Sequence, residues 1–437
     1  MQKTLDAKLA EIHADPHGSR AFILADAKDA DMAFGMGAPG LSPEQHAGEV
    51  RFRTLAQYRD QIRQIIQQGL VDIMLMSAST SAQLTLIEGL FDHSPITPAG
   101  RANDATDVFV VRGQNYLAQP ARPFRSAALD HLQCGHLDCE PQERVRGANL
   151  GLYSVTFNNR LEEDLHTLEQ YKLFREEAER KGFRHFLEVF DPNAPTALTA
   201  DTIPPFINDH IARTLAGVAP AGRPVFLKIV YHGPRAMEEL VAYDPHLVVG
   251  ILGGSAGTTY DAFKMLAEAK KYGARAALYG RKINQAENQL AFIEFLKLLA
   301  DGLITAEEAV KAYHAVLAKL GIQPHRKLAD DLTLQTAAMS YGGIPQVSVP
   351  ALPSAMQSAS PPDKKQASPG DCGCGGTVPA ACACSGHAHD DAPQTKGQKP
   401  ASQKAAASAG QSSPRPLTTA EKLAANQAKR DRIWGRI

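Results

Sequence analysis

FLEVFDPNAPTALTADTIPPFINDHIARTLAGVAPAGRPVFLKIVYHG, residues 186–233, is the stretch that decides the fold. It opens on an apolar run of strand length, Phe186–Phe190, and closes on another, Val225–Val230. Between them, Ile203–Ala216 repeats apolar residues at helical spacing. Strands that are apolar throughout, joined by an amphipathic helix, mark a parallel sheet with helices over its faces. The alternation continues in both directions. Strand-length runs stand at Ala21–Ala25, Val71–Met76, Leu150–Phe157, Leu247–Leu252 and Ala274–Tyr279, with a weaker one at Val108–Val111. Helical patterns fill the gaps at Leu55–Gln68, Leu161–Lys181, Pro234–Ala242, Tyr260–Tyr272 and Asn288–Asp301. Eight strands in an α/β chain predict a (β/α)8 TIM barrel. A doubly wound sheet is the alternative, but no G-x-G-x-x-G follows the first strand.

The barrel pattern occupies residues 1–341. From 342 to 416 the chain is rich in Ala, Ser, Pro, Gly, Gln and Lys without an aromatic residue, which predicts a disordered linker. Residues 417–437 turn helical again. The tail from Gly343 carries eleven basic and six acidic residues, leaving 35 and 41 in the body, so the two parts differ in sign. The whole chain, 437 residues with a formal charge of −1, is not basic enough for a general nucleic-acid binder. It has no apolar run long enough to span a membrane, and its first residues lack the apolar core of a secretory signal. Six cysteines are too few for a disulfide framework, and the expected location is the cytoplasm.

In barrels of this kind, chemistry gathers where strands end and βα loops begin. Strand six places Lys228 among Phe226, Leu227, Ile229 and Val230. A lysine flanked by aliphatic residues on a strand is costly unless it is paired or used. A desolvated neutral amine can attack a carbonyl and form a Schiff base, while a purely structural ion pair is the competing reading. Strand five carries Glu188 in FLEVFDP, and strand one ends in LADAKDAD with Asp26 and Lys28. Either carboxylate is a candidate to orient Lys228 and move protons. Strand seven runs into GILGGSAG, with Gly253, Gly254 and Ser255, and strand eight into YGRKI, with Gly280 and Arg281. Glycines at strand-to-helix turns let N–H groups approach an anion, and arginine suits a phosphate.

LADAKDAD, FLEVFDP, FLKIVYHG, GILGGSAG and YGRKI resemble the strand ends of class I, Schiff-base aldolases. The similarity is greatest to the tagatose-bisphosphate and sulfofructose-phosphate aldolases, with archaeal-type fructose-bisphosphate aldolases more distant. The resemblance implies a metal-independent lyase without cofactor, acting on a phosphorylated ketose. It implies Lys228 as the imine lysine, Glu188 in proton transfer and Asp26 as first-strand partner. It also implies Gly253, Gly254, Ser255, Gly280 and Arg281 around the substrate phosphate, and a homo-oligomer is expected. The segment Pro95–Arg146 has no counterpart in these families. Two other readings stand beside this one: a phosphate-binding isomerase or synthase without an imine, and an inactive barrel serving as scaffold.

Two Cys/His clusters offer metal-ligand residue types. His131-x-x-Cys134-x-His136-x-x-Cys139 lies in a polar stretch, where a loop cap with incidental thiols is favoured over tetrahedral zinc. In the linker, Cys372, Cys374, Cys382 and Cys384 precede His387 and His389, a set suited to zinc or Cu(I) with no part in aldol chemistry. The terminal segment starts with a capping box, Thr418-x-x-Glu421, and carries Leu423, Ile433, Trp434 and Ile437 near one face. It resembles the encapsulation peptides that draw enzymes into bacterial microcompartments. That resemblance implies a shell protein as partner and a microcompartment lumen as location.

Overall fold

The computed structural model describes residues 2–42, 51–108, 111–194, 196–254 and 257–336. Among these, eight parallel strands close into a barrel: β1 Ile23–Lys28, β2 Ile73–Met76, β3 Thr97–Arg101, β4 Leu150–Thr156, β5 Arg184–Phe190, β6 Leu227–Ile229, β7 Val249–Leu252 and β8 Ala276–Tyr279. Each strand pairs with its neighbours in sequence, and β8 pairs with β1. The fold is a TIM barrel. Linker and terminal helix, with Cys372, Cys374, Cys382, Cys384 and Trp434, lie outside the described residues.

Helices expected at Leu55–Gln68 and Ile203–Ala216 run over those same residues, and the other four agree to within one residue at each end. Their ends are written locally. Thr54 accepts the amide of Gln57 in a capping box at the start of Leu55–Gln68, and Gly69 closes that helix at φ 72°, where a side chain would be strained. Two further helices, Thr4–Ala14 and Ala306–Lys319, belong to the fold without having been anticipated.

The third strand corrects the sequence reading. It lies at Thr97–Arg101, sequence TPAGR, and Val108 sits in a turn. This strand carries no apolar run because the backbone itself is in contact: a Cβ on Gly100 would stand 2.5 Å from Leu132 Cδ2. The stretch Pro95–Arg146 is therefore not an addition to the barrel. It contains β3, and a small antiparallel pair, Asp104–Ala105 with Pro123–Phe124.

Two apolar layers follow from strand alternation. Ile23, Ala25, Leu75, Leu152, Phe186 and Phe226 belong to the layer inside the barrel, while Leu24, Met74, Tyr153, Leu187 and Leu227 pack under the outer helices. Leu5, Leu9 and Ile12 of the first helix join the inner layer. That helix is fastened where strands begin: Thr4 N–H donates to Pro95 O (2.9 Å) and Lys8 Nζ to Asp72 Oδ2 (2.6 Å). It plugs the N-terminal end, so polar chemistry is left to the C-terminal mouth. No helix among the described residues is long and apolar enough to cross a membrane.

Candidate active site

Register decides which strand residues share the barrel interior. Ser154 of β4 pairs with Glu188 of β5, Glu188 with Lys228 of β6, and Lys228 with Gly250 of β7. Paired residues in neighbouring strands point the same way, and this row falls two residues beyond Leu152, Phe186 and Phe226 of the inner layer. All three polar side chains are buried. Lys228 Nζ lies 2.5 Å from Glu188 Oε1, and Glu188 Oε2 accepts from Ser154 Oγ at 2.7 Å. Both carboxylate oxygens therefore have partners, which fixes the plane in which Glu188 meets the amine.

Arg101, the last residue of β3 and registered with Leu152, reaches toward this row. Arg101 reaches Ser154 Oγ at 3.5 Å, donates to Asn103 O at 2.9 Å and pairs with Asp29 Oδ2 at 2.6 Å. Burial alone would draw the Arg101 guanidinium down, but Asp29, Glu188 and Asp104 together hold it above its ordinary value. Asn103 braces the same place, its amide donating to Ser154 O (2.8 Å) and its carbonyl accepting from Ser154 N–H (2.7 Å). Burial raises the Asp107 carboxyl, which accepts from Thr156 Oγ1 at 2.6 Å. Sequence reading missed Arg101, Asn103 and Ser154. Arg101 ends a strand without an apolar run and Asn103 lies just past it, and a serine in LGLYSVTF has no chemical signature of its own.

Gly250 was also missed, and its lack of a side chain has a cause. A Cβ there would lie 2.7 Å from both Leu227 O and Ala276 Cβ. The position registered to Lys228 therefore has no room for a side chain.

Of the expected site residues, Lys228 and Glu188 are brought together and Asp26 is not. Asp26 pairs in register with Met74 and Tyr279, which belong to the outer apolar layer, so it faces the helices. Its nearest cation is Lys28 Nζ at 3.4 Å, and Lys28 in turn donates to Asn284 Oδ1 and to Gln289 Oε1 (2.9 Å). Both side chains are fully buried. Burial pushes the Asp26 carboxyl up to about 6 against the pull of Lys28, and burial draws Lys28 down.

At the mouth, Arg281 follows β8, and its guanidinium stacks 5.9 Å from the Phe34 ring centre. Burial lowers it, and the Glu188 carboxylate acts the other way. The glycines are explained first by packing. Gly253 N–H already donates to Leu278 O (2.8 Å), and a Cβ there would stand 2.2 Å from the Tyr279 ring. A Cβ on Gly280 would meet Ala27 O at 2.7 Å. Gly254 has φ 58°, in the left-handed region, and Ser255 lies outside the described residues. His232 Nε2 and Asp191, just past the ends of β6 and β5, sit 2.9 Å apart and line the same mouth.

The Cys/His loop also differs from its expected form. Cys134 and Cys139 are bonded to each other as a disulfide, and they lie by the segment that leads into β4, not at the mouth.

No protein-family model matches the chain, and no curated protein matches it. Among solved structures it is similar to the fructose-bisphosphate aldolase from Slackia heliotrinireducens DSM 20476, at 13% identity over 71% of this chain and 91% of that one, TM-score 0.50. An archaeal fructose 1,6-bisphosphate aldolase aligns at 13% identity over 68% and 99%, TM-score 0.47. A second archaeal structure, with its catalytic Lys covalently bound to the carbinolamine intermediate of the substrate, aligns at 14% over 68% and 100%, TM-score 0.47. At 13% identity the likeness to the Slackia heliotrinireducens protein is one of fold alone.

Proposed function

We propose that this chain is a class I aldolase that makes or breaks a C–C bond in a phosphorylated ketose through a Schiff base on Lys228. The observation that carries the reading is the buried amine 2.5 Å from a carboxylate whose other oxygen is already held by Ser154. An amine needs to lose a proton before it can attack, and Glu188 is the acceptor within reach. Lys228 Nζ then adds to the ketone carbon, and loss of water leaves an iminium. Glu188 takes the proton from the hydroxyl on the carbon beyond the breaking bond. The bonding pair flows to the iminium, giving an enamine and releasing an aldehyde. Protonation of the enamine carbon and hydrolysis return the lysine. Arg281 and the turns at Gly253, Gly254, Ser255 and Gly280 are assigned to the phosphate, which would anchor the ketone over the amine. No metal takes part.

The test is borohydride trapping with a panel of ketose phosphates, read by peptide mass. A substrate-dependent adduct on Lys228 is expected. Absence of an adduct with every ketose, or turnover that persists in Lys228→Ala, ends the reading. One observation favours a second reading, in which the barrel binds a phosphate and Lys228 acts only as a charge. The same 2.5 Å contact suits a permanent ion pair, and trapping separates the two.

The segment Leu417–Ile437 is assigned as a docking helix for a microcompartment shell protein, on its capping box and apolar face. A fluorescent protein carrying residues 414–437 should collect inside an assembled shell. Diffuse fluorescence beside that shell removes the assignment.

A further inference from the structure

The loop between β3 and β4 brings three metal-ligating side chains together and bonds a fourth to one of them. Cys134 Sγ, a ring nitrogen of His136 and a carboxylate oxygen of Glu143 all lie within 4.8 Å of one another. Cys139 lies outside that group and is bonded to its Cys134 member. His131, the first residue of the spacing read from sequence, is not in this group, and Glu143 takes its place.

The supporting contacts are those of a prepared ligand set. His136 Nδ1 lies 2.8 Å from Leu137 O, which leaves Nε2 as the free nitrogen, 3.4 Å from Glu143 Oε1. A ligating histidine ordinarily donates its other ring N–H to a backbone carbonyl in this way. Glu143 is held as well: Glu140 N–H donates to Oε2 at 3.0 Å, and Oε1 faces the histidine, with Arg146 3.6 Å away. In tetrahedral zinc, bonds of about 2.0–2.3 Å put neighbouring ligand atoms roughly 3.3–3.8 Å apart, which the His136–Glu143 separation matches. The loop closes on itself through left-handed residues, Gly135 (φ 91°) and Asp138 (φ 57°). Asp130 braces it, accepting from Asp138 N–H (3.2 Å) and pairing with Arg144 (2.6 Å) and Lys181 (3.0 Å).

We propose that Cys134, His136, Cys139 and Glu143 form a zinc site when reduced, and that the disulfide is its oxidised, metal-free state. A dithiol supplies two electrons and two protons. The S–S bond breaks, each sulfur leaves as a thiol, and the dithiol becomes a disulfide. Zinc then displaces both thiol protons to solvent and takes the two thiolates, His136 Nε2 and Glu143 Oε1. The loop thereby changes between a covalent and a metal closure while the barrel stays intact.

The test uses the full chain with Cys372, Cys374, Cys382 and Cys384 changed to serine, so that only the loop thiols remain. Cobalt(II) is titrated into the phosphine-reduced and the disulfide forms, and zinc is added last. The reduced chain should take one equivalent with intense thiolate-to-cobalt absorption that zinc abolishes, and the disulfide form should show none. Because His136 is exposed, His136→Ala should fold normally by circular dichroism yet weaken binding about tenfold or more. Glu143→Gln should weaken it in the same direction. No thiolate–cobalt band in the reduced chain overturns the proposal. So does a band that survives Cys134→Ser with Cys139→Ser, or one whose affinity neither His136→Ala nor Glu143→Gln changes.

Discussion

Lys228–Glu188 and Lys28–Asp26 are made of the same chemistry, a lysine and a carboxylate buried on barrel strands, and they occupy opposite faces of the sheet. The first pair faces the interior, 2.5 Å apart, with Ser154 on the second carboxylate oxygen and Gly250 in register with Lys228. The second faces the helices at 3.4 Å, and neither Asp26 oxygen has a hydrogen-bond partner among the described residues. Lys28 is instead anchored by Asn284 and Gln289, side chains from the segment after β8. One pair points into the barrel and the other points beneath the helices. A buried ion pair therefore carries no functional meaning until its face is known.

The sharpest way to break the comparison is to remove the lysine from each pair. Lys228→Ala should abolish turnover and imine trapping while the barrel still folds. Lys28→Met should retain turnover per folded molecule but lower stability by about 3 kcal/mol, since one partner of a buried pair is left alone. Activity assays with urea unfolding of both variants decide it, and a Lys28 variant that folds well but is inactive would reverse the assignment.

Within the inner pair, Glu188→Gln keeps the shape and an acceptor for the Ser154 hydroxyl but cannot take up the proton. A loss of about 10²–10⁴-fold in kcat is expected, with lysine still trapped at a slower rate. Unchanged kcat would move proton transfer elsewhere.

The smallest effect belongs to Asp26→Asn. The folded Asp26 carboxyl is raised from 3.8 to about 6, so the folded state binds its proton more tightly than the unfolded chain. Its stabilising contribution is complete below about pH 4 and is lost as pH rises through about 6. Asp26→Asn should remove that slope and leave kcat unchanged. Urea midpoints measured across this window in both proteins are the check. An identical slope in the two would show that Asp26 does not titrate there.

Much of the barrel was legible from residues alone, because apolar strands and amphipathic helices announce themselves by periodicity. Thr97–Arg101 was not, since Pro98 and Gly100 leave no apolar run and the strand is held by backbone approach to Leu132. Lys228 and Glu188 drew notice as charges within aliphatic runs. Ser154, Asn103 and Arg101 could not, because their meaning depends on which residues stand across from them.

What the sequence determined by itself is the sort of object this is: alternating strands and helices, a lysine and a glutamate embedded in two of those strands, and a body and tail of different composition. Each of those follows from local properties of short stretches. Tertiary structure alone decided which charges meet. Asp26, Glu188 and Lys228 look equivalent along the chain, but strand alternation and register turn one of them outward and set the other two side by side. Contact between strands depends on pairing across the whole sheet, and no local window of sequence contains that information.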